Sequence, residues 1–471
     1  MADEAKQYDM VVIGGGPAGI TAASTAAECG RSVALVNAHH QLGGAGINTG
    51  TVPSKTLRET ALALSGIKSR DLYGVDLSLR REVTVADFLR HEENVKGIFH
   101  DSLTERFQAS HTDIYRGTAR FEDPHTLAVQ DLAGGAQRLR GGSVLIGTGS
   151  SPVRPALFPF GKGEIYDSDT ILRLDRVPKT MGVIGAGVIG SEYACTFAAL
   201  GTKVHIFDGR GELLSFLDGE ISRALTAALE RRGIVFHWRE TVQACSVQDG
   251  GQVTLALASG ASLSFDAVLV ASGRQSNTDV LNLAAAGVTV GERGIIPVDK
   301  NYRTNVPHIY AAGDVIGFPA LASTSMEQAR RAVRHAFGQP ASPLAHLLPN
   351  GIYTIPEVSM VGETEESLRK SGVEFVAGCA PYANNARGRI IGDNEGLLKL
   401  LFRRGDMRLL GVHIMGELAT EVVHIGLMVM MVDGTAETFI EACFNVPTLS
   451  TLYKTATIEA LKNAAKLAPS S

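Results

Sequence analysis

The chain has 471 residues, 45% hydrophobic and 20% charged, with 52 glycines that follow no period. This is the profile of a folded globular protein of about two to four domains and excludes collagen-like or low-complexity chains. A formal charge of −5 without a basic stripe argues against a nucleic-acid partner, and no run of about 20 apolar residues offers a membrane span.

Along the chain, Tyr8 to Ile13 reads as a short strand ending in Gly14-Gly15-Gly16-Pro17-Ala18-Gly19. An alanine-rich helix follows to Glu28, Gly30 stops it, and Ser32 to Val36 reads as a second strand. Val85 to Glu105 looks helical, and Val144 to Gly147 reads as a buried strand running into Thr148-Gly149-Ser150. The opening pattern then recurs. Met181 to Ile184 leads into Gly185-Ala186-Gly187-Val188-Ile189-Gly190, a helix to Leu200, Gly201, and a strand from Lys203 to Phe207. Further strands, Ala267 to Ala271 and His308 to Ala312, end in Ser272-Gly273-Arg274 and Gly313-Asp314. Ala341 to Asn350 reads as a linker. Beyond it, strand-like runs at Gly396 to Phe402 and Leu409 to Ile414 alternate with helical ones.

The expected fold is therefore α/β: two Rossmann-like dinucleotide-binding domains and a C-terminal α+β domain. The first is expected to use 1–152 and 278–344, the second 153–277, and the third 345–471. In each glycine turn the first glycine allows a tight bend, the second lets the backbone approach a pyrophosphate, and the third lets helix and strand pack closely. The helix N-terminus then offers free N–H groups and a positive dipole end. At the end of the second strand, where an acid usually binds the adenosine ribose, the first unit has Asn37 and the second Asp208. Asp208 favours the free 2′-hydroxyl of NAD(H), and Arg210 suits the 2′-phosphate of NADP(H) or is a solvated charge.

Five cysteines, Cys29, Cys195, Cys245, Cys379 and Cys443, occur without a CxxC spacing. That argues against a disulfide framework or a metal site, and all five are expected as small buried side chains. The polar residues 1–8 carry no apolar signal core, so a reducing, cytoplasmic compartment is expected.

Two dinucleotide units, then Gly313-Asp314, then Tyr353-Thr354-Ile355-Pro356-Glu357, resemble the flavoprotein disulfide reductases over nearly the whole chain. The resemblance implies FAD on the first unit, NAD(P)H on the second, and a homodimer, or a higher homo-oligomer, built by the C-terminal domain. It implies cofactor contacts from Gly14, Gly16, Pro17, Ala18, Gly19, Asn37, Gly44, Thr51, Thr148, Gly149, Gly313, Asp314 and Ala322 on the FAD side. On the coenzyme side it implies Gly185, Gly187, Val188, Ile189, Gly190, Asp208, Arg210, Gly273 and Arg274. Asp314 would bond the flavin ribityl chain. Lys55 and Glu192 would form the ion pair beside the flavin, both touching cofactor and both serving catalysis.

The departures from that family are concentrated at the thiol chemistry. Its redox-active cysteine pair falls on Gly46 and Thr51, inside an intact frame of Gly43-Gly44 and Pro53-Ser54-Lys55. Its C-terminal histidine and glutamate fall on Val446 and Thr451. Neither glycine nor threonine cycles through a disulfide, and valine moves no proton. This profile is similar to that of the soluble pyridine nucleotide transhydrogenases, a subgroup matched at Phe444-Asn445-Val446-Pro447-Thr448 and Val423-His424-Ile425-Gly426. Flavin-mediated hydride transfer between NADPH and NAD+ is the expected activity. A dehydrogenase passing electrons to a quinone or dye, and a low-turnover flavin-binding protein, remain open alternatives. His424 is expected to pack on a helix, His39 and His40 to lie in a loop, and Glu363 to Lys370 to form a solvated helix face.

Overall fold

A computed structural model describes residues 5–65, 84–110, 112–341 and 347–467. The first glycine turn lies between β1 (Lys6–Ile13) and α1 (Pro17–Glu28), which leads to β2 (Val33–Asn37). Three helices follow: α2 (Gly44–Asn48), α3 (Thr51–Leu64) and α4 (Val85–Ala109). Next come β3 (Asp113–Phe121), β4 (Thr126–Asp131) and β5 (Ala136–Ile146). β3 pairs parallel with β2, β2 with β1, and β1 with β5. The outer halves of β3 and β5 pair antiparallel with β4, which joins the same six-stranded sheet. β5 thus begins well before the expected Val144. Its first half alternates exposed and buried residues, so it lacks the continuous apolar run that marks its second half.

β6 (Ser150–Pro152) and β7 (Ile165–Tyr166) lead into the second unit of β8 (Thr180–Ile184), α5 (Val188–Ala199), β9 (Lys203–Asp208), α6 (Gly219–Arg231) and β10 (Val235–Trp238). An antiparallel set, β11 (Val242–Val247), β12 (Val253–Leu257) and β13 (Ser262–Phe265), precedes β14 (Ala267–Val270). The parallel sheet runs β10-β9-β8-β14-β7. β15 (Arg274–Ser276) pairs back onto β6, and β16 (Ile309–Ala311) completes the first sheet beside β5. β3-β2-β1-β5 and β10-β9-β8-β14 therefore repeat one parallel order, with each glycine turn at the point where the order reverses; the edge strand differs, β16 coming after β5 in the chain and β7 before β8. α7 (Ala322–Ala336) packs on α1.

The C-terminal region holds β17 (Asn350–Ile352), β18 (Val358–Gly362), α8 (Glu365–Ser371), β19 (Phe375–Pro381), α9 (Ala386–Ile390), β20 (Leu397–Arg403) and β21 (Leu409–Met415). Three helices follow, α10 (Ala419–Met431), α11 (Ala436–Glu441) and α12 (Thr451–Lys466). Its strands form an antiparallel sheet in the order β17-β18-β21-β20-β19. Of the expected linker, residues 342–346 lie outside the described residues, and Asn350 already belongs to β17.

One apolar core joins the three regions. Leu57 and Ala61 of α3, Tyr193 and Phe197 of α5, and Ile352, Ile355 and Val358 at the start of the C-terminal region all belong to it. Among the described residues no helix is long and apolar enough to cross a membrane. The cysteines depart from expectation: Cys195 is buried, Cys29, Cys245 and Cys379 are half-buried, and Cys443 is exposed in the connection between α11 and α12. Burial pushes the Cys195 thiol up to about 12. Inside the expected solvated face at Glu363 to Lys370, Glu365 reaches inward to pair with the buried Lys399 at 2.6 Å.

Candidate active site

Each glycine turn is dictated by atoms of the protein itself. Gly14, at a φ of 106°, sits where a Cβ would lie 2.3 Å from the Gly147 carbonyl oxygen, and a Cβ on Gly19 would lie 1.7 Å from the Gly14 oxygen. The second unit repeats this: a Cβ on Gly185 would meet the Ala271 oxygen at 2.6 Å, and one on Gly190 the Gly185 oxygen at 2.0 Å. The middle glycines behave differently. A Cβ on Gly187 would meet nothing within 4 Å, and one on Gly16 would meet only the Gly44 Cα, at 3.7 Å. No side chain caps α1 or α5. Both turns thus combine open space, uncapped N–H groups and a helix dipole, which is what a dinucleotide pyrophosphate needs. Pro17 opens α1 with Ala18 and Gly19 buried behind it, whereas α5 opens with half-buried Val188 and Ile189 and is buried from Gly190 on.

The ends of β2 and β9 differ in chemistry. Buried Asn37 accepts the Gly15 N–H at 3.1 Å and donates to the carbonyls of His39 at 2.7 Å and Gln41 at 3.0 Å. A carboxylate cannot make the last two bonds. Asn37 therefore holds the loop after β2, with exposed His39 and His40, against the glycine turn. Asp208 accepts the Ala186 N–H at 2.7 Å and is gripped by Arg210 through Nε at 2.9 Å and Nη2 at 2.7 Å. Burial pushes the Asp208 carboxyl up, but the hydrogen bonds from Arg210 and Ala186 outweigh it and hold the group at about 2.

Lys55 on α3 and Glu192 on α5 meet at 2.8 Å, with side chains 27% and 8% exposed. The other carboxylate oxygen of Glu192 accepts the Tyr353 N–H at 2.8 Å, and the Lys55 ammonium lies 4.9 Å from the centre of the Tyr353 ring. The pair is thus closed from the C-terminal region. One turn along α3, Arg58 donates to the Thr354 carbonyl at 3.1 Å and pairs with Glu357 at 3.2 Å. This fixes the segment that carries Tyr353.

A second constellation joins β6, β15 and the start of the segment after β16. Arg274 donates to Ser150 Oγ at 2.8 Å and to its carbonyl, while Ser150 Oγ donates to Asp314 at 2.7 Å. Thr148 and Asn277 exchange bonds across the Gly149 turn. A Cβ on Gly149 or on Gly273 would meet nothing within 4 Å. The Gly313 N–H is taken by Gln328 of α7, the helix that Ala322 opens.

The dithiol positions are adapted to other roles. Gly46 lies on α2 where a Cβ would be 2.8 Å from Pro17 Cγ, so even the first atom of a cysteine side chain does not fit this backbone. Thr51 is exposed at the start of α3. Val446 is 68% exposed. Thr451 donates to the Thr448 carbonyl at 2.9 Å and accepts from Asn385 at 2.6 Å, which makes it a local clasp. His424 is exposed on α10.

Ser150 and Asn277, which were not among the expected site residues, tie the second constellation together, and His100 of α4 bonds Asn48 of α2 at 2.8 Å. Burial lowers the His100 pKa.

The family described as pyridine nucleotide-disulphide oxidoreductase matches residues 8–336, and its dimerisation domain matches 348–457. A Mycobacterium bovis protein named soluble pyridine nucleotide transhydrogenase is 47% identical over 457 residues, 97% of each chain. One of the same name from Pseudomonas fluorescens is 40% identical over 96% of this chain and 98% of its own. Among solved structures, HOCl-induced flavoprotein disulfide reductase RclA from Escherichia coli matches with a TM-score of 0.87 at 28% identity, over 96% of this chain and 99% of its own.

Proposed function

Because the chain belongs to the pyridine nucleotide-disulphide oxidoreductase family, we propose that this oxidoreductase catalyses FAD-dependent hydride transfer between NADPH and NAD+ without a disulfide relay. One observation carries the reading. The Lys55–Glu192–Tyr353 constellation is intact, whereas Pro17 crowds the place of a cysteine Cβ at Gly46. The name shared by the relatives in Mycobacterium and Pseudomonas supports it.

The first unit, with 1–152 and 278–344, holds FAD. Gly14, Gly16, Pro17, Ala18 and Gly19 seat its pyrophosphate, Asn37 fixes the loop beside the adenosine, and Gly44, Thr51, Thr148, Gly149, Gly313, Asp314 and Ala322 line the rest. The second unit, 153–277, holds the nicotinamide coenzyme through Gly185, Gly187, Val188, Ile189 and Gly190, with Asp208 and Arg210 at the adenosine and Gly273 and Arg274 at the other end. Bound FAD supplies the redox chemistry, accepting two electrons from a reduced nicotinamide and returning them to an oxidised one. Lys55 sets a fixed positive charge at the meeting point of the units, and Glu192 keeps it there.

NADPH and NAD+ are converted to NADP+ and NADH with no net uptake of a proton. Disulfide reduction consumes one. The absence of a proton-carrying histidine at Val446 follows from that balance. One coenzyme site serves donor and acceptor in turn, so ping-pong kinetics are expected. The C-terminal region, 345–471, builds a homodimer. Apolar side chains exposed on α10 and α12, among them Met428, Met431, Ile458 and Leu461, support this. Five free thiols suit a reducing, cytoplasmic compartment.

The test is an anaerobic mixture of the purified flavoprotein, NADPH and thionicotinamide-NAD+. Flavin-dependent reduction of the thio-coenzyme over many turnovers is expected. If NADPH is consumed only when a quinone or dye is added, the proposal is wrong.

A further inference from the structure

The motif position of Arg210 makes it the natural partner for the 2′-phosphate that separates NADP(H) from NAD(H). The structure gives it another occupation. Its guanidinium is spent on both oxygens of Asp208, a carboxylate that stays ionised far below neutral pH. To meet a phosphate it has to leave a charge-assisted, two-pronged bond.

A second guanidinium stands beside it. Trp238 pairs in register with Asp208, so the residue that follows, Arg239, emerges at the same C-terminal edge of the parallel sheet. In a sheet of this kind ligands lie outside that edge. Arg239 adopts a left-handed backbone with a φ of 56°, an arrangement that costs free energy and persists where the surroundings enforce it. Its N–H bonds the Arg210 carbonyl at 3.0 Å, and the next N–H, of Glu240, bonds the Asp208 carbonyl at 3.2 Å. The result folds the side chain back over the loop after β9. Its Nε lies 3.2 Å and its Nη2 3.5 Å from the place of a Cβ on Gly211, so the glycine leaves the guanidinium room. Among the described residues no carboxylate pairs with it. The neighbouring Glu240 carboxylate is engaged instead by the N–H groups of Thr241 and Ser259.

We infer that Arg239 is the phosphate-reading residue of the coenzyme site: it recognises the 2′-phosphate of NADP(H), while Asp208 with its attached Arg210 serves the adenosine of both coenzymes. This rests on the second glycine turn being the coenzyme site. The division of labour lets one pocket accept either coenzyme, since neither ligand requires the Asp208–Arg210 pair to open.

Trp238, the chain's single tryptophan, immediately precedes Arg239 and serves as the fluorescence probe. FAD-loaded protein is titrated with NADP+, NAD+ and 2′,5′-ADP, following Trp238 fluorescence. Arg239→Ala is expected to raise the Kd for NADP+ and 2′,5′-ADP about tenfold to a hundredfold, the worth of one charge-assisted bond to a phosphate, and to leave NAD+ within about twofold. Arg239→Lys recovers part of the loss. The inference is overturned if Arg239→Ala binds NADP+ like the parent, or if it weakens NAD+ equally. Gly187→Val separates the two levels. Loss of all three ligands in that variant, with no effect of Arg239→Ala, removes the inference alone. Unchanged binding in Gly187→Val removes the coenzyme site and the inference together.

Discussion

Replacing Lys55 by methionine removes one partner of a pair whose other member, Glu192, is nearly enclosed, with a side chain 8% exposed. The carboxylate then keeps a single bond, from the Tyr353 N–H. Stranding a buried charge costs about 3–5 kcal/mol, and access of water through the 27% exposed lysine position brings the expected loss to about 2–3 kcal/mol. Glu192→Gln acts differently. Two donors, Lys55 and Tyr353, each point at a carboxylate oxygen, and glutamine offers one oxygen for both. One contact then sets donor against donor, at a cost of about 1–2 kcal/mol. Lys55→Met with Glu192→Leu leaves no buried charge and is expected to be more stable than Lys55→Met alone. Urea unfolding of the FAD-loaded proteins measures the order, and thio-coenzyme reduction measures catalysis, which Lys55→Met should slow about a hundredfold. A Lys55→Met protein as stable as its parent, or a Glu192→Gln protein less stable than Lys55→Met, would refute the account of this pair.

Gly187→Ala should fold normally and lose coenzyme affinity, because its Cβ meets no protein atom, whereas Gly190→Ala, 2.0 Å from a carbonyl oxygen, should lower stability by several kcal/mol, about 3 or more; thermal unfolding and coenzyme titration distinguish them. Asn37→Asp, which restores the acid usual at that place, should loosen FAD and cost about 2–4 kcal/mol, since it turns two donor bonds into contacts between acceptor oxygens; released flavin fluorescence reads this out. The lowered pKa of Asp208 means that its stabilisation is complete above its unfolded value, near 4, and is lost as the pH falls towards 2. Between those limits the parent should lose up to about 2 kcal/mol more than Asp208→Asn, measured by unfolding at each pH. Gly46→Cys combined with Thr51→Cys should not create a disulfide reductase, and its FAD content should fall, because the new Cβ displaces α2 from Pro17.

The glycine turns were legible because a strand–turn–helix unit is written in consecutive residues, and its repetition disclosed the two-sheet plan. Lys55 and Glu192 stand 137 positions apart, and no local rule links them; their meeting was readable only through the order of motifs in a family. The first half of β5 escaped because its alternation is that of a surface ribbon rather than a buried parallel strand. Asn37 stands where an acid is usual, and its role as a donor depends on the carbonyls of His39 and Gln41, which converge on it only in the folded loop. Arg239 carries no motif at all. Its place depends on the register of β10 against β9 and on a left-handed backbone, both products of tertiary pairing. The cysteines were read by an average, which exposed Cys443 does not obey.

The core shared by α3, α5 and the start of the C-terminal region has a consequence for biosynthesis. Arg58 waits for a carbonyl 296 positions later, and Leu57 beside it waits for Ile355. At about 5–20 residues per second, a ribosome needs on the order of 15–60 s to deliver that partner. For that interval the amphipathic helix bearing Lys55 has already emerged without the surface that will cover it. Nascent chains stalled before residue 350 should therefore be held by chaperones or cleaved within 51–64, and a stop codon there should leave no stable product.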